Sequence, residues 1–293
     1  MRKKALKFIC LLFQSISWLA VKLHIIRPIV VICVDGGICS QMLAYIRGQY
    51  YAQHGIPVYY NTRWFETNGM DNFGKFTRPF ELLDAFPKLD FPQLSRFKTA
   101  FYRHFMRYEY ENNVMPDWET LTRSVYLSLY PEFRSNDDFM ELFSKYFEAN
   151  TWKPNCKSLN VENDIISCGV HIRKGDMTDW NALPESYFIN SVKYVQKKYK
   201  NVKFFFFSDE PDWVSTHIVP QLEDVAYEII IGNMGYEDLK LCAQCDVIVA
   251  SQGTMGRFAG LMNQDSELIL PSAKEDVGFP VLRYRNGTVI ECI

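Results

Sequence analysis

The run Cys168-Gly169-Val170-His171-Ile172-Arg173-Lys174-Gly175-Asp176 is apolar until it stops at two cations, a glycine and a carboxylate. A buried strand that ends in an anion-binding loop has this form. An α/β sheet places its ligand beyond the carboxyl ends of its parallel strands. Side chains two apart on a strand share a face, so His171 and Arg173 point the same way.

Outward from that strand, read as Ile165–Ile172, the alternation is regular. A helix opens at Pro184, a residue suited to a first turn, with Phe188, Val192, Val195 and Tyr199 as its apolar stripe. Strands at Val202–Phe207, Tyr227–Ile231, Val247–Ala250 and Leu268–Leu270 are separated by helices at Pro211–Ile218, Tyr236–Cys245 and Met255–Asn263. Strands alternating with single helices specify parallel βαβ units and a doubly wound sheet. Asn286-Gly287, between Val281–Arg285 and Thr288–Glu291, reads as a tight hairpin. In the first half, the β-branched run Ile29–Val34 is a strand broken by Asp35-Gly36-Gly37. A helix follows from Ser40, with Gly55 as its left-handed cap, and then a strand at Ile56–Tyr60. The spacing G-x-G-x-x-G is absent, which argues against a dinucleotide site. Thr62 to Ala149 is aromatic and helical in pattern. The polar stretch Asn150–Asp164 is the linker between a first unit at 29–155 and a second at 156–293.

At 293 residues the chain can bury one large core or two modest ones. Its net charge of −2 excludes a global basic field for nucleic acid. The eight cysteines form no regular framework and indicate a reducing compartment. Cys242-Ala-Gln-Cys245 lies in a helical pattern with no second pair nearby, so burial is favoured over zinc or redox chemistry. Residues 1–28 differ from the rest. Arg2, Lys3, Lys4, Lys7, Lys22 and Arg27 are basic, and no acid precedes Asp35. The uncharged segment Phe8–Val21, with Trp18 near its end, is short for a span and lacks a cleavage site. A basic amphipathic helix lying on an anionic membrane fits it best; a helix packed on the protein and a true anchor are the alternatives. The expected location is cytoplasmic, peripheral at the inner face of the membrane.

Three loops fall at carboxyl ends of neighbouring strands in the second half. They carry His171, Arg173 and Lys174; Ser208, Asp209 and Glu210; and Ser251, Gln252, Gly253 and Thr254, the last leading into a helix. A helix amino terminus seats phosphate through free N–H groups and its dipole, and Arg173 can grip phosphate with two parallel bonds. A carboxylate at Asp209 or Glu210 can accept the paired N–H donors of guanine. Together these loops describe a nucleotide-diphosphate site. No P-loop is present, and no Asp-x-Asp pair, so no metal is expected and fixed cations must neutralise the leaving diphosphate.

Asp35-Gly-Gly-Ile-Cys-Ser-Gln41-Met-Leu-Ala-Tyr45 resembles the Gly-Gly-Leu-Gly-Asn-Gln-Met-Phe-Gln-Tyr signature of glycosyltransferase family 11, the α-1,2-fucosyltransferases. His171-Ile-Arg173-Lys-Gly-Asp176 resembles its His-x-Arg-Arg-Gly-Asp motif, and Pro184-Glu-Ser-Tyr187-Phe188 its Pro-x-x-Tyr-Tyr. Phe207-Ser208-Asp209-Glu210 with Trp213 is similar to its Phe-Ser-Asp-Asp and following Trp. Asp238 through Asn263 is similar to its last block. Ser40, Lys174 and Arg257-Phe258 depart from the family pattern. The resemblance implies an α/β, GT-B-like fold of two Rossmann-like halves facing a cleft, the C-terminal half a doubly wound parallel sheet. It implies GDP-β-L-fucose as donor and inverting transfer to the 2-hydroxyl of a galactoside, on a galactose-terminated glycan or a lipid-linked oligosaccharide for a surface polysaccharide. Arg173 is then expected to stabilise the leaving phosphate, helped by Lys174 and Ser251–Thr254. His171 with Asp209 or Glu210 would hold the nucleotide, Asp35 or Asp176 would serve as base, and Gly36, Gly37 and Gln41 would face the acceptor or cleft. The alternatives are another GDP-sugar, or a binding protein that has lost catalysis.

Overall fold

The computed structural model describes residues 2–70, 74, 76–110, 113–128, 131–133, 135–147, 151–153, 157–175, 182–272 and 287–290. The first half runs α1 (Arg2–Lys22), β1 (Val30–Cys33), α2 (Ile38–Ala52), β2 (Val58–Asn61), α3 (Arg63–Thr67), α4 (Leu82–Ala85), α5 (Arg96–Phe105), β3 (Val125–Leu127) and α6 (Asn136–Tyr146). Its sheet is parallel and three-stranded, in the order β2-β1-β3. The second half runs β4 (Ile166–Ile172), α7 (Glu185–Lys198), β5 (Val202–Ser208), α8 (Pro211–Trp213), β6 (Ala226–Ile230), α9 (Gly235–Cys242), β7 (Val247–Val249), α10 (Thr254–Met262), β8 (Glu267–Pro271) and β9 (Gly287–Ile290). Its six strands are all parallel, in the order β6-β5-β4-β7-β8-β9. The protein is therefore an α/β, GT-B-like molecule with two parallel-sheet halves.

Sequence and structure differ at three elements. Pro211–Ile218 is not one α-helix: after α8 the backbone widens into a π-turn at Val214–Ile218 and tightens to a 3₁₀ turn at Val219–Gln221. Pro220 has no N–H to continue the ladder. β9 is a parallel edge strand beside β8 that the sequence did not place in the main sheet; Asn286 of the expected hairpin turn and the other arm, Val281–Arg285, lie outside the described residues. β3, a three-residue strand, falls inside the stretch whose pattern reads as helical.

Packing follows from side-chain alternation. In the run Phe204–Phe207, Phe204 and Phe206 face α7 and meet Tyr187, Phe188, Val192 and Val195. Phe205 and Phe207 face the other way and join a core shared with the first half, which includes Met42, Tyr45, Leu82, Phe143, Cys242 and Phe258. Each such ring removes enough apolar surface to contribute about 1.5–3 kcal/mol. The halves thus share one core through α2, α4, α6, α9 and α10. Cys242 and Cys245 are free, buried thiols whose sulfurs pack against Gly169 on β4. Burial raises both thiol pKa values, so the pair is structural.

α1 is docked along one stripe. Phe13 meets the rings of Phe101 and Phe105 at centroid distances of 5.2 and 4.9 Å. Gln14 Nε2 donates to Phe105 O (3.1 Å), and Ser17 Oγ accepts from Ser124 N (3.2 Å). The remaining faces leave Leu6, Phe8, Leu11, Leu12, Ile16 and Leu19 exposed. By length and composition, Ala5–Lys22 could also cross a bilayer.

Candidate active site

In the second sheet the chain moves outward from β4 in both directions, to β5 and β6 on one side and to β7 and β8 on the other. The β4–β7 boundary is a topological switch point, where a crevice opens above the strand ends. Arg173 leaves β4 there, and Ser251-Gln252-Gly253-Thr254 leaves β7. The two loops touch. A side chain on Gly253 would lie 3.5 Å from His171 Cε1 and 3.7 Å from Arg173 Cβ, and Gln252 Nε2 donates to Arg173 O (3.4 Å).

His171 is buried, and its Nδ1 lies 2.8 Å from Ser251 Oγ. Ser251 Oγ also accepts from Gly253 N (3.3 Å). Its own proton is free to point at the ring, an arrangement in which Nδ1 accepts and Nε2 carries the proton. Burial, reinforced by the neighbouring Arg173 charge, depresses the imidazole pKa to about 3. His171 is neutral and braces the Ser251–Gly253 turn.

Asp209 has a different task from the one its motif suggests. Its Oδ1 accepts from Lys174 N (3.0 Å) and Gly175 N (3.2 Å), and its Oδ2 pairs with Arg173 Nη1 at 3.0 Å. The latter contact is an ion pair, not an aligned hydrogen bond, since Oδ2 finds no hydrogen-bond donor among the described residues. Asp209 thus shapes the cationic loop and is not placed to read a base. Glu210 remains half-buried, with Oε1 3.2 Å from where a side chain on Gly175 would begin. Lys174 Nζ lies over the Trp213 ring, 4.9 Å from its centroid, so Trp213 steadies a cation. Asp176 lies outside the described residues.

From the first half, the Asp35–Gly37 turn brings the amino end of α2 to the same place. Gly36 has φ +70°, a left-handed conformation that glycine adopts without penalty. Gly37 is the N-cap, with no side-chain cap, and a Cβ there would meet nothing within 4 Å. Gly253 caps α10 in the same way. The Cys39 thiol, in the first turn of α2, hydrogen-bonds the side chain of Thr254, the first residue of α10. Burial pushes the thiol pKa up to about 12. Two helix amino ends, each leaving N–H groups for a ligand, therefore converge near Arg173. Asp35 is half-buried at this edge.

Gln41 does not face the cleft. It is fully buried; its Nε2 donates to Gly36 O (3.0 Å) and Pro79 O (2.9 Å), and its Oε1 accepts from Glu81 N (2.9 Å) and Leu82 N (3.0 Å). Each of these partners is a backbone group, so Gln41 is a clamp that seats α4. The clamp positions a residue the sequence did not single out. Glu81 is buried, and its carboxylate accepts from Gly235 N (3.2 Å) and Tyr236 N (3.1 Å) at the amino end of α9. Burial raises its pKa. Glu81 ties the two halves together beside the crevice. No group of three or more potential metal ligands occurs among the described residues.

The model of glycosyl transferase family 11 matches residues 90–279. An Escherichia coli protein named alpha-1,2-colitosyltransferase is 31% identical over 118 residues, which is 35% of this chain and 40% of that protein. The chain therefore aligns with less than half of that relative's length. Among solved structures, the fucosyltransferase NodZ from Bradyrhizobium aligns with 12% identity and a TM-score of 0.45, over 81% of this chain and 93% of that one. The E. coli ADP-heptose LPS heptosyltransferase II aligns with 14% identity and a TM-score of 0.46, over 89% and 90% of the two chains.

Proposed function

The chain belongs to glycosyltransferase family 11, and from that membership we propose that it moves L-fucose from GDP-β-L-fucose to the 2-hydroxyl of a galactoside, with inversion. The hydroxyl oxygen attacks the anomeric carbon, the bond to the β-phosphate oxygen breaks, and that oxygen keeps the electron pair. The observation that carries the reading is the convergence of Arg173 with the two glycine-capped helix ends of α2 and α10. Such a site offers fixed positive charge to a leaving diphosphate and needs no reorganisation as charge develops. Lys174 adds a second cation, and Glu210 is the carboxylate left to take guanine N–H donors. Asp35, on the edge contributed by the first half, is assigned to accept the hydroxyl proton. The transfer is expected to be independent of metal.

The test is donor binding followed by turnover. GDP at 100 times its dissociation constant should stabilise the protein by about 2.7 kcal/mol, with UDP giving no comparable shift. GDP-fucose alone should be hydrolysed slowly, and transfer to a galactoside should persist in chelator. Failure to bind GDP would remove the assignment, and binding without turnover on any acceptor would make the chain a binding module. The name of the colitosyltransferase relative favours a second reading, with the same linkage but colitose as the sugar. Parallel kcat/KM measurements with GDP-fucose and GDP-colitose separate the two.

The same reading places the protein on the inner membrane surface, in the cytoplasm. In support, α1 keeps one stripe on the first half and turns apolar side chains outward, Lys22 Nζ sits 4.8 Å above the Trp18 ring, and the basic residues of this segment have no acidic counterpart. The protein should float with phosphatidylglycerol vesicles and not with phosphatidylcholine vesicles. Each lysine among Lys3, Lys4 and Lys7 replaced by glutamine should cost about 1 kcal/mol of that binding. Equal flotation with both vesicle types would leave α1 without an electrostatic role.

A further inference from the structure

The two halves meet around the crevice through polar ties of unequal strength. In front, the Cys39 thiol bonds the Thr254 side chain, and a thiol is a weak donor. Behind, the Glu81 carboxylate takes two successive backbone N–H groups of α9, Gly235 N on Oε1 and Tyr236 N on Oε2. Bonds from N–H to a carboxylate are roughly twice as strong as neutral ones, and a helix amino end favours the negative charge. Glu81 is only 4% exposed, and taking a carboxylate out of water carries a cost that an apolar residue at this boundary would not incur. Apolar burial, however, has no direction. It would let α4 settle on α9 by shape alone, whereas two bonds to successive N–H groups fix one register. What the carboxylate adds at this boundary is geometry.

Gly235 shows the same fit from the second half. A Cβ there would lie 2.9 Å from Glu81 Oε2, too close for a carbon beside that oxygen. Gly235 is absent from the glycines with positive φ, and it opens α9. Its missing side chain therefore serves the approach of Glu81 and not a strained backbone. The tie also leads to the site. Glu81 N donates to Gln41 Oε1 (2.9 Å), and Gln41 Nε2 donates to Gly36 O (3.0 Å). Gly36 follows Asp35 and precedes the N-cap of α2. A continuous run of hydrogen bonds thus joins α9, in the second half, to the turn that carries Asp35 in the first.

We propose that Glu81 is a positioning residue for sugar transfer: through Gln41 it sets the Asp35–Gly37 turn against the Arg173 loop, and so sets where the acceptor's base stands relative to the donor. This rests on the reading of the crevice as a sugar-diphosphate site with Asp35 on its acceptor edge. Glu81 itself touches no reacting atom. Its influence is on the distance across the crevice, where a displacement of about 1 Å can cost about 10² in rate.

Two variants break the tie from opposite sides. Glu81→Gln keeps the shape, removes the charge and turns an NH₂ toward a backbone N–H. Gly235→Ala leaves Glu81 in place and pushes its carboxylate off the helix end. Each full-length variant is compared with the wild type in GDP titration calorimetry, in steady-state transfer from GDP-fucose to phenyl β-galactoside well below its melting temperature, and in hydrogen exchange without ligand. Both should bind GDP within about threefold of the wild type and keep the KM for GDP-fucose, yet lose about tenfold or more in kcat. Exchange should quicken at Gly235 and Tyr236 and also at Gln41 N, which bonds Gly37 O (3.1 Å) in α2. Variants that melt lower with kcat unchanged would make Glu81 a stability contact and nothing more. GDP affinity falling in step with kcat would mean that the tie supports the donor loops and not the relation between the halves. Faster exchange confined to α9 would break the link to α2, and it overturns the proposal whichever sugar the protein uses. Failure of the fucose reading shows separately, as wild-type protein that does not bind GDP or transfer fucose.

Discussion

Replacing Arg173 by alanine should lower sugar transfer by about 10²–10³, the cost of losing one preorganised donor to developing charge. The loss should fall on kcat, because the charge on the departing β-phosphate is largest in the transition state. GDP should still bind through the glycine-capped turns and Lys174. Some stability will go as well, since Asp209 loses its counter-ion at a site where both side chains are largely buried. The loop should survive, because Asp209 Oδ1 still accepts from Lys174 N and Gly175 N. Single-turnover rates and a melting curve on the same variant separate the two effects. A variant with a lowered melting temperature and an unchanged kcat would make Arg173 a structural partner of Asp209 and nothing more.

The difference between Arg173 and Asp209 illustrates what could be read from the sequence. An apolar run ending in Arg173-Lys174-Gly175 announces a buried strand and a cationic loop, because hydrophobic patterning and strand ends are local properties. The same holds for Ser251–Thr254 before a helix, and for the parallel order of the second half. Which partner a side chain takes is not local. Asp209 lies 35 residues from Lys174 in the chain, and where the sequence suggests a partner for the nucleotide it instead builds the cationic loop. Gln41 belongs to a recognisable motif, but its four partners are backbone groups set by the path of residues 79–82, which no pattern in α2 reveals. Glu81 was missed for the same reason: its donors on α9 are 154 and 155 residues away. The link between Cys39 and Thr254 joins two halves whose approach depends on the shared core around Phe143 and Phe258. Trp213 belongs to a recognisable motif too, but that its ring covers Lys174 follows only from the path of the chain between residues 174 and 213.

His171 supplies the second large effect, and it concerns stability. The unfolded imidazole titrates near its ordinary value, about 6.5. In the folded protein burial holds it at about 3, so between these limits the unfolded chain binds a proton that the native state refuses. Stability from this group is complete above about pH 6.5 and drains away as the pH falls toward 3. At pH 4.5 the loss should be about 3 kcal/mol relative to neutral pH, at 1.36 kcal/mol per unit. Protonation also makes both ring nitrogens donors, so that Ser251 Oγ must accept from Nδ1 as well as from Gly253 N, and it sets a second cation beside Arg173. The Ser251–Gly253 turn should therefore loosen in acid before the rest of the fold. His171→Asn, which cannot titrate, should start less stable at pH 7 and lose less on acidification. Urea denaturation of both proteins at pH 7 and pH 4.5 reads the difference directly, since every other titrating group is common to the pair. Parallel losses would mean that the imidazole charges freely in the native state, and that Ser251 and Gly253 hold their turn without it.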